Sequence, residues 1–511
     1  LKPKCPQRST VSTKLSRRSW QAARPPKSGS APVNEDDREL MRAVARYLER
    51  VNSLTSQELH PTRTPLGDVL SEHLGVDASE IAIVEEHILD HRLVDADIAL
   101  DIMSAQAGGR SIGVRGGEQR LHSSLAELVT NTYAQFAPGT IDFVERATGP
   151  STSRRVVSMG IRLLSHEGHP IALTQRAAAP ERGRETAMLE VMCADPEAAT
   201  SFLNALKSLM VEHSILRGQV LSFTPTAFGR GDAGSTFLRR PEVAPSEVIL
   251  PHGVLDEIVQ HVVGIGEHRA ILQAAGQHLK RGVLLYGPPG TGKTLTVRHL
   301  LARTAGTTVV LLTGSSIRYI SAAAEIARTF EPSIVVLEDI DLVAMERHMS
   351  PQPLLFEVLE ALDGLDGDAD VAFLMTTNRV EVLEKALAER PGRVDLAVEV
   401  PRPALPERER LFRHYAHGLG LSDDALTHAA AVTEGVTGSF AKELIRRSVL
   451  LAASRGEEVA DAHLAAALAE LMSARQHLTR RMLGAGSEHD ETEPDETEPD
   501  TEHSASFGWF S

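Results

Sequence analysis

The run Gly287-Pro-Pro-Gly-Thr-Gly-Lys293-Thr294 constrains this chain more than any other stretch. It satisfies GxxxxGK[ST] and lies between the apolar run Val283–Tyr286 and the helical stretch LTVRHLLART. A strand, a glycine-rich turn and a helix in that order is the setting in which such a loop cradles phosphates. Gly287, Gly290 and Gly292 let the backbone turn so that its N–H groups converge on an anion, with Pro288, Pro289 and Thr291 as the rest of the cradle. Lys293 is expected to reach the β- and γ-phosphates of a nucleotide, and the Thr294 hydroxyl to ligate Mg²⁺.

The loop requires a sheet behind it, and the surrounding pattern supplies one. From Val248 onward, short apolar runs alternate with helical periods, the signature of a parallel α/β sheet. The expected strands are Val283–Tyr286, Thr308–Leu312, Ile334–Glu338, Ala372–Thr376 and Leu396–Val400. Past Pro406 only helical patterns remain, including Pro406–His417 and Ala441–Ala453. A phosphate loop also needs acidic groups at the end of a neighbouring buried strand, and Ile334–Leu337 delivers Glu338-Asp339-Ile340-Asp341. Such a cluster is costly without a counter-ion. Mg²⁺ is the expected one, with Glu338 approaching the metal and Asp339 orienting the attacking water.

Thr377-Asn378 ends the next expected strand, placing a neutral amide where it can bond a γ-phosphate or its water. Further on, Arg390-Pro-Gly-Arg393-Val-Asp395 sets two guanidiniums on a turn of an acidic body, an arrangement that suits a neighbouring subunit's phosphate. That implies a ring with sites at subunit interfaces.

GPPGTGKT, PSIVVLEDID, TTN and RPGRVD, in this order and spacing over about residues 245–475, resemble the AAA family of ATPases. The resemblance implies an α/β P-loop AAA+ core with a small helical lid, ATP and Mg²⁺ as ligands, a hexameric homo-oligomer and ATP-driven remodelling of a protein. It assigns Walker A to Gly287–Thr294, Walker B to Glu338 and Asp339, sensor 1 to Asn378 and arginine fingers to Arg390 and Arg393. Gly435-Val-Thr-Gly438-Ser439-Phe440-Ala441 resembles the family's lid-helix entry, where Gly438 and Ser439 would pack near the adenine. The family's usual order is Asp then Glu, so the Glu338-Asp339 order shortens the water-activating arm by one methylene. Slower hydrolysis or a shifted backbone is the expected consequence. The inverted pair, the RPGRVD form, the layout of LRRPEVAPSEVILPHGVLDEIVQHV before LKRGVLLYGPPG, and a strand–helix–strand at 188–224 are similar in architecture to the mitochondrial translocase of the Rieske iron–sulfur protein. Tyr319-Ile320 follows the second strand where family members carry a pore loop, and a packed core tyrosine is the alternative.

Composition sets the remaining bounds. The chain has 511 residues with 42% hydrophobic and 24% charged, which is ordinary globular usage. Two cysteines, Cys5 and Cys193, without metal-type spacing fit a reducing compartment, read here as cytoplasmic. No run approaches a membrane-spanning length, and no signal-type apolar region opens the sequence. Residues 1–34 hold eight Lys/Arg and no acid, and 488–502 hold nine Asp/Glu and no base; setting these aside leaves -15 of the -16 net charge on the body. A general nucleic-acid surface is therefore disfavoured.

The expected organisation is a disordered basic arm (1–35, in which transit-peptide composition is a weaker alternative), an α+β substrate or partner domain (36–240), the ATPase domain (241–403), the helical lid (404–484) and a disordered acidic tail (485–511). In the second of these, Val156–Leu164 and Met188–Cys193 read as strands. Asp195 and Pro196 then open a helix with Phe202, Leu203, Leu206, Leu209 and Met210 on one face, and Val220–Phe223 returns as a strand. His87 and His91, at i,i+4, resemble part of an inverted zincin pattern with Asp90 in place of Glu, but a solvated or packed helical face is the favoured reading. Phe507-Gly-Trp-Phe510 is a candidate docking hook, with chance aromatics in a tail the favoured reading. An ATP-gated scaffold with little turnover and a nucleic-acid motor stand as rival functions.

Overall fold

A computed structural model describes residues 35–58, 63–131, 133–180, 183–225, 233–341, 360, 368–381 and 394–473. The chain divides into two units, residues 1–62 and 63–511. The described part of the first is one helix, α1 (Glu35–Glu58).

The second unit opens with α2 (Pro65–Leu74), β1 (Ile83–Ile88), α3 (Leu93–Gln106), β2 (Arg110–Arg115), α4 (Leu125–Thr130), β3 (Ala137–Gly139), β4 (Asp142–Ala147), β5 (Ser153–His166), β6 (His169–Arg176), β7 (Ala187–Met192) and α5 (Pro196–Glu212). The strands form an antiparallel sheet in the order β1-β7-β6-β5-β2-β3, with β4 also paired to β5. Alternation along β6 sends Ile171 and Leu173 toward α3 and α5, and Ala172 toward α2 and α4, so both faces are covered. The α5 reading holds: the Asp195 carboxylate accepts from the Glu197 N–H at 2.9 Å, and Phe202, Leu203, Leu206 and Met210 are buried. His87 and His91 do not share a helix. His87 lies on β1, while His91 sits in the turn Asp90–Arg92, buried edge-on against Phe223 at 5.9 Å, so the i,i+4 geometry of a zinc pair is absent.

Next come β8 (Val220–Pro225), β9 (Ala233–Leu238), α6 (Val254–Val259), α7 (Arg269–Ala274), β10 (Arg281–Tyr286), α8 (Lys293–Arg303), β11 (Thr308–Thr313), α9 (Ile320–Thr329), β12 (Ser333–Glu338), β13 (Val371–Thr377) and β14 (Leu396–Glu399). The sheet order is β14-β10-β13-β12-β11-β8-β9, parallel from β14 to β8 and closed by an antiparallel hairpin. Every residue of β13 is buried, as a central strand covered on both faces requires. After α6 the helix takes one π turn at Gln260–Gly264, where the buried Arg281 Nε donates to the Val262 carbonyl at 3.0 Å while Nη1 bonds Asp370 at 2.8 Å. Four helices follow: α10 (Leu405–Tyr415), α11 (Asp423–Val432), α12 (Gly438–Arg455) and α13 (Asp461–Met472), packed around Phe412, Phe440 and Leu444.

Strand β8, expected as part of the preceding domain, pairs instead with the edge of the second sheet. The join is fixed by Asp95 on α3, which is fully buried. Its carboxylate accepts from Arg92 Nε at 2.8 Å, Ser214 Oγ at 2.7 Å and the Ile215 N–H at 2.9 Å, just ahead of β8. Burial pushes the Asp95 carboxyl up, and the Arg92 charge opposes that rise. Arg92 and Arg217 both lie over the Phe330 ring, which leads into β12. Removing the acid strands a guanidinium, a hydroxyl and an amide together. Asp95→Ala is expected to cost roughly 3–5 kcal/mol, seen as an earlier urea midpoint than wild type or exposed-site Glu80→Ala; coincident midpoints would contradict this account.

Candidate active site

Strands β10, β13 and β12 are neighbours and parallel, so the turns after their carboxyl ends share one rim of the sheet. That rim is where ligands of open α/β sheets bind. Gly287 leaves β10 at φ 142°, and a Cβ there would stand 2.3 Å from the Val400 carbonyl oxygen. No side chain fits, because Val400 is itself held to Tyr286 by a 2.7 Å backbone bond. Gly290, at φ 78°, faces the lid: the Ser439 N–H donates to its carbonyl at 3.2 Å, and a Cβ would meet the Ser439 Oγ at 2.7 Å. The Gly438-Ser439 step therefore clasps the loop directly.

Lys293 opens α8 and is buried, its ammonium donating to the Gly287 and Pro288 carbonyls at 2.7 and 2.8 Å. An ammonium carries three protons, so one is left for a ligand. Burial pulls its pKa down to about 8, against the opposing charges of Asp339 and Asp341.

Glu338 ends β12 beside the Thr294 hydroxyl, which favours its ionised form. Burial pushes the Glu338 carboxyl up, the Thr294 hydroxyl pulls it back, the Asp339 charge raises it again, and Arg298 lowers it. Asp339 has φ 53°, a left-handed conformation uncommon outside glycine, Asn and Asp. Its N–H donates to Thr376 Oγ1 at 3.0 Å, and its Oδ1 accepts from Asn378 Nδ2 at 3.0 Å. With this left-handed backbone the Asp339 carboxylate meets the Asn378 amide.

Asp341, given no role from sequence, is buried and accepts from Thr377 Oγ1 at 3.0 Å and the Asn378 N–H at 3.3 Å, which orients the turn carrying Asn378. Its signal was present, an acid closing a buried strand, but residue type does not separate a positioning acid from a metal ligand.

A cavity of about 460 Å³ lies among these groups. It is lined by Pro289–Leu295, Arg298, Asp339 and Asn378, by Ile249, Leu250, Leu411 and Tyr415, and by Gly438, Ser439 and Lys442 from the lid. The volume lies in the ordinary range for small-molecule sites. Charged and apolar groups lining one cavity fit a phosphorylated nucleoside. Thr294 with Glu338 fits Mg²⁺, which takes one or two carboxylates and fills its shell with phosphate oxygens and water. Ile249, Leu250, Leu411, Tyr415, Arg298 and Lys442 were missed from sequence because they converge from segments carrying no motif.

Tyr319 and Ile320 are packed in the core, Tyr319 at 7% exposure and 5.7 Å from the Phe223 ring, so the core alternative describes them and the pore-loop one does not. Arg390, Arg393, the basic arm, the acidic tail and Phe507–Phe510 lie outside the described residues. Asp395, two residues after Arg393, is fixed to β10 by reciprocal 2.8 Å bonds with Gly282.

Fold and site together define a P-loop nucleotide-binding domain. Residues 283–402 match the family described as "ATPase family associated with various cellular activities (AAA)". The chain is 32% identical over 222 residues to a proteasome-activating nucleotidase of Methanocella arvoryzae, covering 40% of this chain and 53% of that protein. It is 30% identical over 273 residues to a 26S proteasome regulatory subunit 4 homolog of Dictyostelium discoideum, covering 49% and 62%. With an ATP-dependent zinc metalloprotease FtsH 2 of Symbiobacterium thermophilum it shares 36% over 223 residues, covering 40% and 37%. The chain thus spans about half the length of these relatives. Residues 283–402 thus carry a domain of the AAA family of ATPases.

A polyphosphate needs the charged form of Lys293, whose pKa near 8 lies inside the accessible range. Nucleotide affinity is expected to hold from pH 7 to about 8 and then fall by up to about tenfold per pH unit, with Lys293→Arg flat over the same range; an unchanged wild-type affinity up to pH 9.5 would contradict the placement of this lysine.

Proposed function

We propose that this chain binds and hydrolyses ATP with Mg²⁺ as a homo-oligomeric ring, hexameric as the family implies, and uses turnover to remodel a protein partner engaged by the α+β layer ahead of the ATPase sheet. The observation that carries the reading is the convergence of Lys293, Thr294, the Asp339–Asn378 pair and the Gly290–Ser439 clasp on one cavity, with Glu338 beside Thr294. Loop amides and Lys293 hold the phosphates. Thr294 and Glu338 would hold Mg²⁺, which supplies charge neutralisation at the β- and γ-phosphates. Asp339 accepts the proton of the attacking water, and Asn378 keeps that carboxylate in place.

Arg390 and Arg393 reach a neighbour's site, a contribution of about 10³–10⁵ in rate, or roughly 4–7 kcal/mol. The names of the relatives, two tied to proteasomes and one an ATP-dependent metalloprotease, support a protein as the object of the work. Among the described residues no helix is long and apolar enough to cross a membrane, and a cytoplasmic location is proposed. The short Asp339 arm favours one second reading, an ATP-gated scaffold of low turnover.

Steady-state hydrolysis per subunit, followed against protein concentration, separates the two. The expected rate rises with concentration, collapses at least about 100-fold in Lys293→Ala and Arg393→Ala, and is lost in Asp339→Asn with ATP binding retained. Negligible wild-type turnover beside tight ATP binding would favour the scaffold.

A further inference from the structure

The segment that leaves β9, residues 239–250, runs back along α8 toward the nucleotide cavity. At its start the half-buried Arg240 spreads its guanidinium over four backbone carbonyls. Nη1 donates to Leu301 at 2.9 Å and Thr304 at 3.1 Å, and Nη2 to Gly218 at 3.1 Å and Thr307 at 2.6 Å. Leu301 and Thr304 close α8, so the cation also meets the negative end of that helix. Gly218 stands just ahead of β8 and Thr307 just ahead of β11. Midway, the buried His299 of α8 donates its Nδ1–H to the Val243 carbonyl at 2.8 Å. At the far end Glu247, Val248, Ile249 and Leu250 line the same cavity as the phosphate loop. Val248 and Leu250 share a core with Val297 and Leu300 of α8, and Ile249 shares one with Leu411 and Phe412 of α10.

Chain length does not fix this path. Helix α8 has 11 residues and so a length of about 16 Å, whereas the ten residues 241–250 can reach up to about 36 Å. The apolar contacts at the far end are non-directional. The hydrogen bonds of Arg240 are directional, and its planar fork serves two pairs of acceptors at once, which the single nitrogen of a lysine does not.

We propose that Arg240 is a positioning residue for the nucleotide cavity: held by those four carbonyls, it locks segment 241–250 to the closing end of α8 and so sets where Ile249 and Leu250 stand in the cavity wall. The proposal rests on the nucleotide reading above. Arg240 is not among the residues that line the cavity, and it sits at the opposite end of α8 from Lys293, so its effect travels through the segment.

The test uses the full chain, first without nucleotide. Arg240→Ala is expected to raise hydrogen exchange across 241–250 while the amides of Lys293–Leu300 keep their wild-type protection. Unchanged exchange across 241–250, or lost protection over both stretches, would overturn the proposal. Calorimetric titration with a non-hydrolysable ATP analogue follows. Arg240→Ala is expected to bind it about tenfold more weakly, and Arg240→Lys to recover little of that loss. Arg240→Ala combined with Leu250→Ala is expected to bind no more weakly than the weaker single variant, because both act on one wall. Wild-type affinity in Arg240→Ala or Arg240→Lys, or losses that multiply in the double variant, would overturn it. A wild type that binds no analogue, beside the expected exchange contrast, would remove the nucleotide reading and retain the lock on the segment.

Discussion

The buried ammonium of Lys293 beneath a glycine-rich turn is the interaction around which the rest of the ATPase domain is arranged. A buried cation with a depressed pKa and an unused proton marks a place where an anion can be met. The turn that holds it exists because Gly287 abuts the Val400 carbonyl and Gly290 abuts Ser439. Those contacts tie the loop to the return from β14 and to the lid, so loop, sheet and lid are fixed with respect to the same few atoms. The acids of β12 then have a defined task, since Glu338 meets Thr294 at the start of the same helix that carries Lys293.

The layer ahead of the ATPase domain is built onto it. Strand β8 extends the nucleotide-bearing sheet past β11, and the Asp95 carboxylate binds the turn that leads into β8. Through Arg92 the same cluster reaches Phe330, at the entry to β12. Polar groups that are expensive to separate thus tie the start of β12 to the antiparallel sheet.

Much of the second sheet was legible because its strands are buried on both faces and read as continuous apolar runs, as Ile334–Leu337 and Val371–Met375 do. The phosphate loop was legible because close backbone approach demands glycine at fixed positions. The addition of β8 to that sheet was not, since parallel pairing between distant segments leaves no local periodicity. Tyr319 could not be settled from sequence either: an aromatic residue after a strand looks the same whether it faces a pore or, as here, Phe223. His87 and His91 share helical spacing, but the chain between them leaves a strand and turns, which separates the rings. Asp339 was the informative departure. The shorter acid is accompanied by a left-handed backbone, and only the structure reveals that this brings it to Asn378.

The central claim is that loop, acids and lid form one nucleotide site. Calorimetric titration of the full chain with a non-hydrolysable ATP analogue, with Mg²⁺ and then with excess EDTA, tests it most directly. The account predicts one site per subunit, weakened when Mg²⁺ is withdrawn and absent in a Gly290→Val variant that retains the wild-type circular dichroism spectrum. Failure of wild type to bind at millimolar analogue, or unchanged binding in Gly290→Val, would contradict it.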